Sequence, residues 1–296
     1  MRTRTVLLPG WIQSPPVVGI EVVSWDSGEP VPAQDVLDRV EFFVPPYLAP
    51  LSDVGLAARM PRLRVVQALM AGVDGMAAVI PPGVTLLRAR GVHDTSTAEL
   101  AVGLILSAQR GIDVAARDML SGTWRHERRR SLADSHVGII GWGGVGRAVA
   151  ARLAAFDVTV SGFSRSGAHG SRPVAALDRV LGELDIVVLA IPLTDQTRTF
   201  LSADRLAQMK DGALLVNVGR GELVDTAALT AQLQRGRLRA ALDVVDPEPL
   251  PPDHPLWRAP GVLITPHLGG DSEAFVPRAQ RMVHEQLQLF ASGALD

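Results

Sequence analysis

The sequence predicts an α/β protein made of two parallel-sheet domains. Three observations predict it. The chain has 296 residues, which suits two domains of common size better than one. Short β-branched runs alternate with helical segments along most of its length, as parallel strands and covering helices do. Midway, the strand-like run 137–140 passes through a glycine-rich turn straight into an Ala-rich helix.

In the first half, strands are expected at 5–8, 21–24, 41–44, 63–67 and 85–88, with helical pieces at 35–39 and 52–59. Pro15-Pro16, Pro45-Pro46 and Pro81-Pro82 punctuate them. Residues 95–120 read as one long helix, with Ser96 or Thr97 as N-cap and Glu99 in the first turn. Its run Leu100, Val102, Leu104 and Ile105 is apolar on more than one face, which predicts burial on several sides. A second series starts at His136, with strands at 137–140, 158–162, 186–190, 214–218, 240–244 and 262–265. Helices are expected at 145–156, 174–182, 202–209 and 226–235, with none before the last strand. Residues 272–292 form a final amphipathic helix. The domain boundaries fall at 1–94 plus 271–296 for one domain and 95–270 for the other.

Hydrophobic residues make up 47% and charged residues 20%, enough apolar surface for a large core. A net charge of −2, with no basic block beyond Arg128-Arg129-Arg130, leaves no footprint for nucleic acid. The absence of cysteine excludes disulfides, thiolate catalysis and Cys-ligated metals. No histidine pair has metal-ligand spacing, and no G-x-S-x-G elbow occurs. The N-terminal apolar run is too short for a secretory segment, and none approaches the ~20 residues that span a bilayer. A cytoplasmic enzyme is expected. His126, His136, His169, His254 and His284 read as surface residues, while His93 is kept open because it precedes the helix at the domain boundary.

The turn Gly141-Trp142-Gly143-Gly144-Val145-Gly146 lies between strand and helix, as a dinucleotide-binding turn must. Gly141 permits the tight turn, Gly143 lets backbone approach a pyrophosphate, and Gly146 allows close helix–strand packing. Gly144 and Val145 open the helix, whose first N–H groups face the phosphates. No carboxylate occurs between Asp157 and Asp178 to accept bonds from the ribose hydroxyls. Ser164, Arg165 and Ser166 stand there instead and suit a 2′-phosphate, so NADP(H) is the preferred cofactor and NAD(H) the alternative. Three later strands end near Arg220, Glu248 and His267. Arg220 can hold a carboxylate and polarise a carbonyl, His267 can exchange a proton near neutrality, and Glu248 can orient its ring. Taken singly, each also reads as an ordinary surface ion pair or turn.

The runs GWGGVG (141–146), IPLTDQTRTFLSADRLAQMKDGALLVNVGRGELVDTAAL (191–229), ALDVVDPEPLPPDHPLW (241–257) and TPHLGG (265–270) together resemble the D-isomer-specific 2-hydroxyacid dehydrogenase family. The resemblance covers most of residues 60–290 and is strongest from 137 to 270. It implies two flavodoxin/Rossmann-like domains with the site in the cleft between them, the first being the substrate domain, in a homodimer. It implies reduction of a small 2-keto acid to a D-2-hydroxy acid, and the Ser-Arg-Ser run is similar to NADP-preferring glyoxylate/hydroxypyruvate reductases. Arg220 is then the substrate-binding catalytic residue, with Glu248 rather than Asp246 supporting His267. In the loop from Gln67 to Asp74 the amides of Ala71 and Gly72 would hold the substrate carboxylate. Thr97, Ile191, Pro192, Val218 and Asp243 would line the nicotinamide side, with Thr197 and Gly269 in the same cofactor site. The first sixty residues match only loosely, and the Arg-rich segment 121–135 around Trp124 departs from the family's pattern. Other readings are a nucleotide-sensing, corepressor-like protein and a same-family oxidation of phosphite or formate.

Overall fold

The computed structural model describes residues 3–295. The chain divides into two compact units, one formed by residues up to His93 together with those from Glu273 on, the other by Asp94–Ser272.

The first unit is a five-stranded parallel sheet in the order β2-β1-β3-β4-β5. Its strands are β1 (Arg4–Leu8), β2 (Ile20–Ser24), β3 (Val40–Phe43), β4 (Val65–Gln67) and β5 (Thr85–Leu87). Short helices α1 (Gln34–Leu37), α2 (Leu51–Val54) and α3 (Met76–Val79) connect them, α2 running into a 3-10 turn at Gly55–Arg59. Strand alternation sends Val6, Leu8 and Phe42 into one core and Leu7 and Phe43 into another. The C-terminal helix (Phe275–Ala291) covers the first of these with Phe275, Ala279, Val283, Leu287 and Phe290, a single face at helical spacing. Arg4 locks it in place, donating to Phe290 O at 2.6 Å with its guanidinium 4.7 Å over the ring. Burying a phenylalanine such as Phe42 or Phe290, both fully covered, stabilises the fold by about 1.5–3 kcal/mol.

The second unit is a seven-stranded parallel sheet in the order β12-β11-β10-β9-β6-β7-β8. Its strands are β6 (His136–Ile140), β7 (Thr159–Ser164), β8 (Arg172–Pro173), β9 (Ile186–Leu189), β10 (Leu214–Asn217), β11 (Arg239–Leu242) and β12 (Val262–Ile264). From β6 the chain moves outward to β8 and then returns to β9 on the other side, so β6 and β9 flank a topological switch point. Its helices are α4 (Asp94–Arg110), α5 (Ile112–Met119), α6 (Gly144–Leu153), α7 (Ala203–Gln208) and α8 (Thr226–Gln234). α4 and α6 pack on one face, while α7 and α8 contribute to the core on the other. Covered on both faces, β9 and β10 are buried throughout, which is why both are apolar except for Asn217 at the end of β10. Arg239 ties β11 to the end of α4, donating to Gln109 Oε1 at 2.8 Å and Ala108 O at 3.3 Å; burial and nearby Arg130 lower its pKa to about 10.

Several expectations are corrected. The helix expected over 95–120 is two helices, because Gly111 takes a left-handed conformation (φ 67°) that closes α4 and starts α5. α4 begins at Asp94, so Ser96 and Thr97 are buried inside its first turn and neither stands at the N-cap position. The segment 174–182 forms two 3-10 turns, Val174–Arg179 and Leu181–Glu183, instead of an α-helix. A further 3-10 turn, Pro255–Arg258, precedes β12, started by a proline and capped by His254 Nδ1 accepting from Leu256 N. α3 and the two-residue edge strand β8 lie outside the expected elements. His136 is half-buried, with Nε2 2.9 Å from Ser161 Oγ. Among the described residues no helix is long and apolar enough to cross a membrane.

Candidate active site

One row of paired residues crosses the second sheet: Phe163, Ile140, Leu189, Asn217, Leu242 and Ile264. Because all strands are parallel, the chain leaves this row at a single edge, the carboxyl edge where ligands bind in such sheets. Ser164, Gly141, Ile191, Val218, Arg220, Asp243 and His267 all follow it within three residues. The register alone therefore gathers most of the expected site.

The glycine turn fits a pyrophosphate. A Cβ at Gly141 (φ 108°) would lie 2.2 Å from Ala190 O, and one at Gly146 would lie 1.8 Å from Gly141 O, so neither position admits a side chain. Gly143 is exposed, has open space where a Cβ would be, and stands at the start of α6 with no side-chain cap. A helix N-terminus with open backbone is what an anionic phosphate needs. The carboxylate of Asp94 lies against Gly144, and Val145 is half-buried. Trp142 packs on Gly162 and its indole Nε1 donates to His169 O at 2.9 Å, tying the turn to the loop after β7. In that loop Ser164 Oγ lies 2.8 Å from Ser171 Oγ and accepts from Gly167 N at 3.0 Å, so its hydroxyl shapes the turn. Arg165 and Ser166 are exposed, and Arg165 makes no ion pair among the described residues.

Asp243 organises the histidine loop. Its buried carboxylate accepts from Thr265 Oγ1 at 2.6 Å, Leu268 N at 2.8 Å and Gly269 N at 2.8 Å. Its carbonyl accepts from His267 N at 2.8 Å, and His267 takes a left-handed φ of 56°. Thr97 closes the same loop from α4, donating Oγ1 to Gly269 O at 3.0 Å. His267 Nδ1 lies 2.6 Å from Glu248 Oε1, with the side chains 44% and 40% exposed. A carboxylate only accepts, so Nδ1 carries the hydrogen and Nε2 is left for proton exchange.

The arginine loop is built around Asn217, which is 1% exposed. Its Oδ1 accepts from Gly219 N at 3.0 Å and its Nδ2 donates to Arg220 O at 2.8 Å. A Cβ at Gly221 would sit 1.9 Å from Val245 O, so this loop presses on the segment that leads to Glu248. Arg220 is half-buried and donates Nη1 to Gly219 O at 2.7 Å. Beside it, the loop after β9 brings Ile191 Cγ2 against Gly141. Thr197 Oγ1 donates to Pro192 O at 2.8 Å and accepts from Thr194 N at 2.7 Å, so that hydroxyl closes its own loop. Val218 packs on the core under α4 and α6.

Residues 102–269 match the family described as D-isomer specific 2-hydroxyacid dehydrogenase, NAD binding domain. The chain is 32% identical over 292 residues to a glyoxylate reductase of Aeropyrum pernix, covering 92% of this chain and 87% of that one. The chain belongs to the D-isomer specific 2-hydroxyacid dehydrogenase family. It is an NAD(P)-dependent oxidoreductase. Two solved structures share its architecture. A family protein from Aeromonas salmonicida has a TM-score of 0.85 at 26% identity, covering 98% of this chain and 96% of that one. A dehydrogenase from Xanthobacter autotrophicus in complex with NADPH and MES has a TM-score of 0.79 at 30% identity, covering 99% and 96%.

In the first unit of this dehydrogenase, the loop after β4 is held by its carbonyls. Gln67 Nε2 donates to Ala68 O at 2.7 Å, His93 Nε2 lies 3.0 Å from Leu69 O, and Ala89 N donates to Met70 O at 3.0 Å. The N–H groups of Ala71 and Gly72 find no acceptor among the described residues; Ala71 is exposed and Gly72 half-buried. Sequence reasoning assigned no role to Asn217, Thr265 or Trp142. Asn217 did carry a signal, as the one polar residue of an otherwise apolar strand.

Proposed function

We infer that this dehydrogenase reduces a small 2-keto acid, of the glyoxylate/hydroxypyruvate type, to the D-2-hydroxy acid with NADPH. The observation that carries the reading is the Glu248–His267 pair at 2.6 Å, on the sheet edge that also bears Arg220 and the glycine turn. The nicotinamide, when bound, supplies the hydride for the carbonyl carbon. Arg220 offers its planar fork to the substrate's carboxylate and carbonyl oxygens. The unpaired amides of Ala71 and Gly72 take the carboxylate. His267 Nε2 gives its proton to the oxygen that gains charge, and Glu248 stabilises the protonated ring. The name of the Aeropyrum pernix relative supports this substrate class.

A panel of glyoxylate, hydroxypyruvate, pyruvate and phenylpyruvate, run with NADPH and with NADH, tests the reading. Oxidation of NADPH by glyoxylate or hydroxypyruvate is expected; turnover of formate or phosphite alone, or of nothing, sinks it. For the 2′-phosphate, exposed Arg165 is the group that remains available, with Ser166 beside it. Arg165→Ala is expected to raise the KM for NADPH about 10–100-fold, the loss of one charge-assisted contact, and to leave NADH unaffected. An equal change for both cofactors removes Arg165 from discrimination.

The enzyme is further proposed to be a homodimer. α5 buries none of its residues, and Ile112, Met119, Leu120 and Trp124 expose apolar surface along it and just beyond. Light scattering at micromolar concentration should give the mass of two chains; the mass of one overturns this part.

A further inference from the structure

We propose that His93 is a positioning residue for the substrate carboxylate, holding through Leu69 the loop whose Ala71 and Gly72 amides receive it. The proposal rests on the reading of the loop given above and extends it to a residue that acts through Leu69 O.

His93 is 9% exposed, and a buried imidazole needs a partner for its polar edge. Its ring is set by two aromatic neighbours. It stacks on Phe275 with centroids 5.0 Å apart and planes 13° apart, and faces Tyr47 at 5.9 Å and 29°. That packing aims Nε2 at Leu69 O, 3.0 Å away. A carbonyl only accepts, so Nε2 carries the hydrogen and donates.

The consequence lies in the peptide planes. In a trans peptide the C=O and the following N–H point in opposite directions. Ala89 N bonds Met70 O, so the N–H of Ala71, in the same peptide plane, is turned the other way. His93 fixes the preceding plane through Leu69 O, and Gln67 fixes the one before that through Ala68 O. Three consecutive carbonyls are thus held inward by three separate donors. The next two N–H groups, those of Ala71 and Gly72, are left without acceptors among the described residues. Of the three donors, His93 alone is a side chain from outside the loop, so it can be changed without touching the loop's own residues. With Leu69 O released, the peptide plane next to the cradle gains freedom. Binding a small carboxylate depends on amides that are already aimed.

His93→Phe keeps a ring for the stack and removes the donor; His93→Gln keeps an N–H donor at similar reach. The Phe variant should raise the KM for glyoxylate about tenfold, the loss of one buried hydrogen bond, with kcat and the KM for NADPH unchanged. The Gln variant should restore most of it. A wild-type KM in the Phe variant, an equal rise in the NADPH KM, or a Gln variant as weak as Phe overturns the proposal. If the Phe variant does not fold, His93→Asn replaces it, its shorter amide falling short of Leu69 O. A second readout needs no turnover. Oxamate, an unreactive analogue of a 2-keto acid, should shift the backbone amide resonances of Ala71 and Gly72 in the wild type and the Gln variant but much less in Phe. Failure of these amides to respond in the wild type overturns the proposal whatever the kinetics. If they respond but no 2-keto acid is reduced, the proposed activity falls and the role of His93 stands.

Discussion

Replacing His267 by alanine is expected to lower kcat for 2-keto acid reduction about 10²–10⁴-fold, the range of a positioned general acid, with the KM for NADPH little changed. The oxygen of the reacting carbonyl gains a full charge as the carbon is reduced, and without an acid on that side only water can neutralise it. The separation of the two kinetic effects follows from how the loop is held. Thr265 Oγ1, Leu268 N and Gly269 N all bond the Asp243 carboxylate, and His267 N bonds the Asp243 carbonyl. None of these contacts uses the imidazole, so the loop keeps its shape when the ring is removed. Glu248→Gln should give a smaller loss, about 10–100-fold: the amide oxygen can still accept from Nδ1 but no longer stabilises the positive ring. Steady-state kinetics on both variants decide this. A near-normal kcat for the alanine variant removes histidine from proton transfer, and a glutamine loss as large as the alanine loss makes Glu248 more than a support.

Which parts of this site could be read from residues alone depends on how local their causes are. The central strands of the second unit were legible because both faces are buried, making β9 an unbroken apolar run and β10 one broken only by Asn217. The C-terminal helix was legible because one face repeats at helical spacing. Arg220, Glu248 and His267 stood out because each follows such a strand. Gly111 was missed because a glycine inside a helical pattern is often tolerated, and only its left-handed φ of 67° shows that it ends the helix. The anchoring role of Asp243 depends on three donors from the next strand's loop, which only the β11–β12 register brings to it. Ser164 looked like a phosphate ligand, yet its hydroxyl is engaged by Gly167 and Ser171 a few residues on. His93 stood out only by its place before the boundary helix; its role depends on Tyr47 and Phe275, which lie far from it in sequence.

Replacing Arg220 by glutamine is expected to lower kcat/KM for the 2-keto acid about 10³-fold, or ~4 kcal/mol, within the range for deleting one member of a desolvated charge pair. The loss should be mainly chemical in origin, because the loop is gripped by other groups besides the Nη1 bond of the guanidinium to Gly219 O. Asn217 grips the backbone on both sides, through Gly219 N and Arg220 O. Gly221 lies so close to Val245 O that the loop has little room to shift. The glutamine variant should therefore melt near the wild-type temperature and bind NADPH normally. Arg220→Lys separates charge from geometry: an ammonium restores the attraction but not the two parallel donors, so it should recover only part of the activity. Full recovery by lysine would mean that Arg220 acts as a point charge. No recovery would mean that the fork itself aligns the carbonyl. Gly221→Ala provides the contrast, since its methyl group would collide with backbone and displace the loop, which should lower thermal stability together with activity.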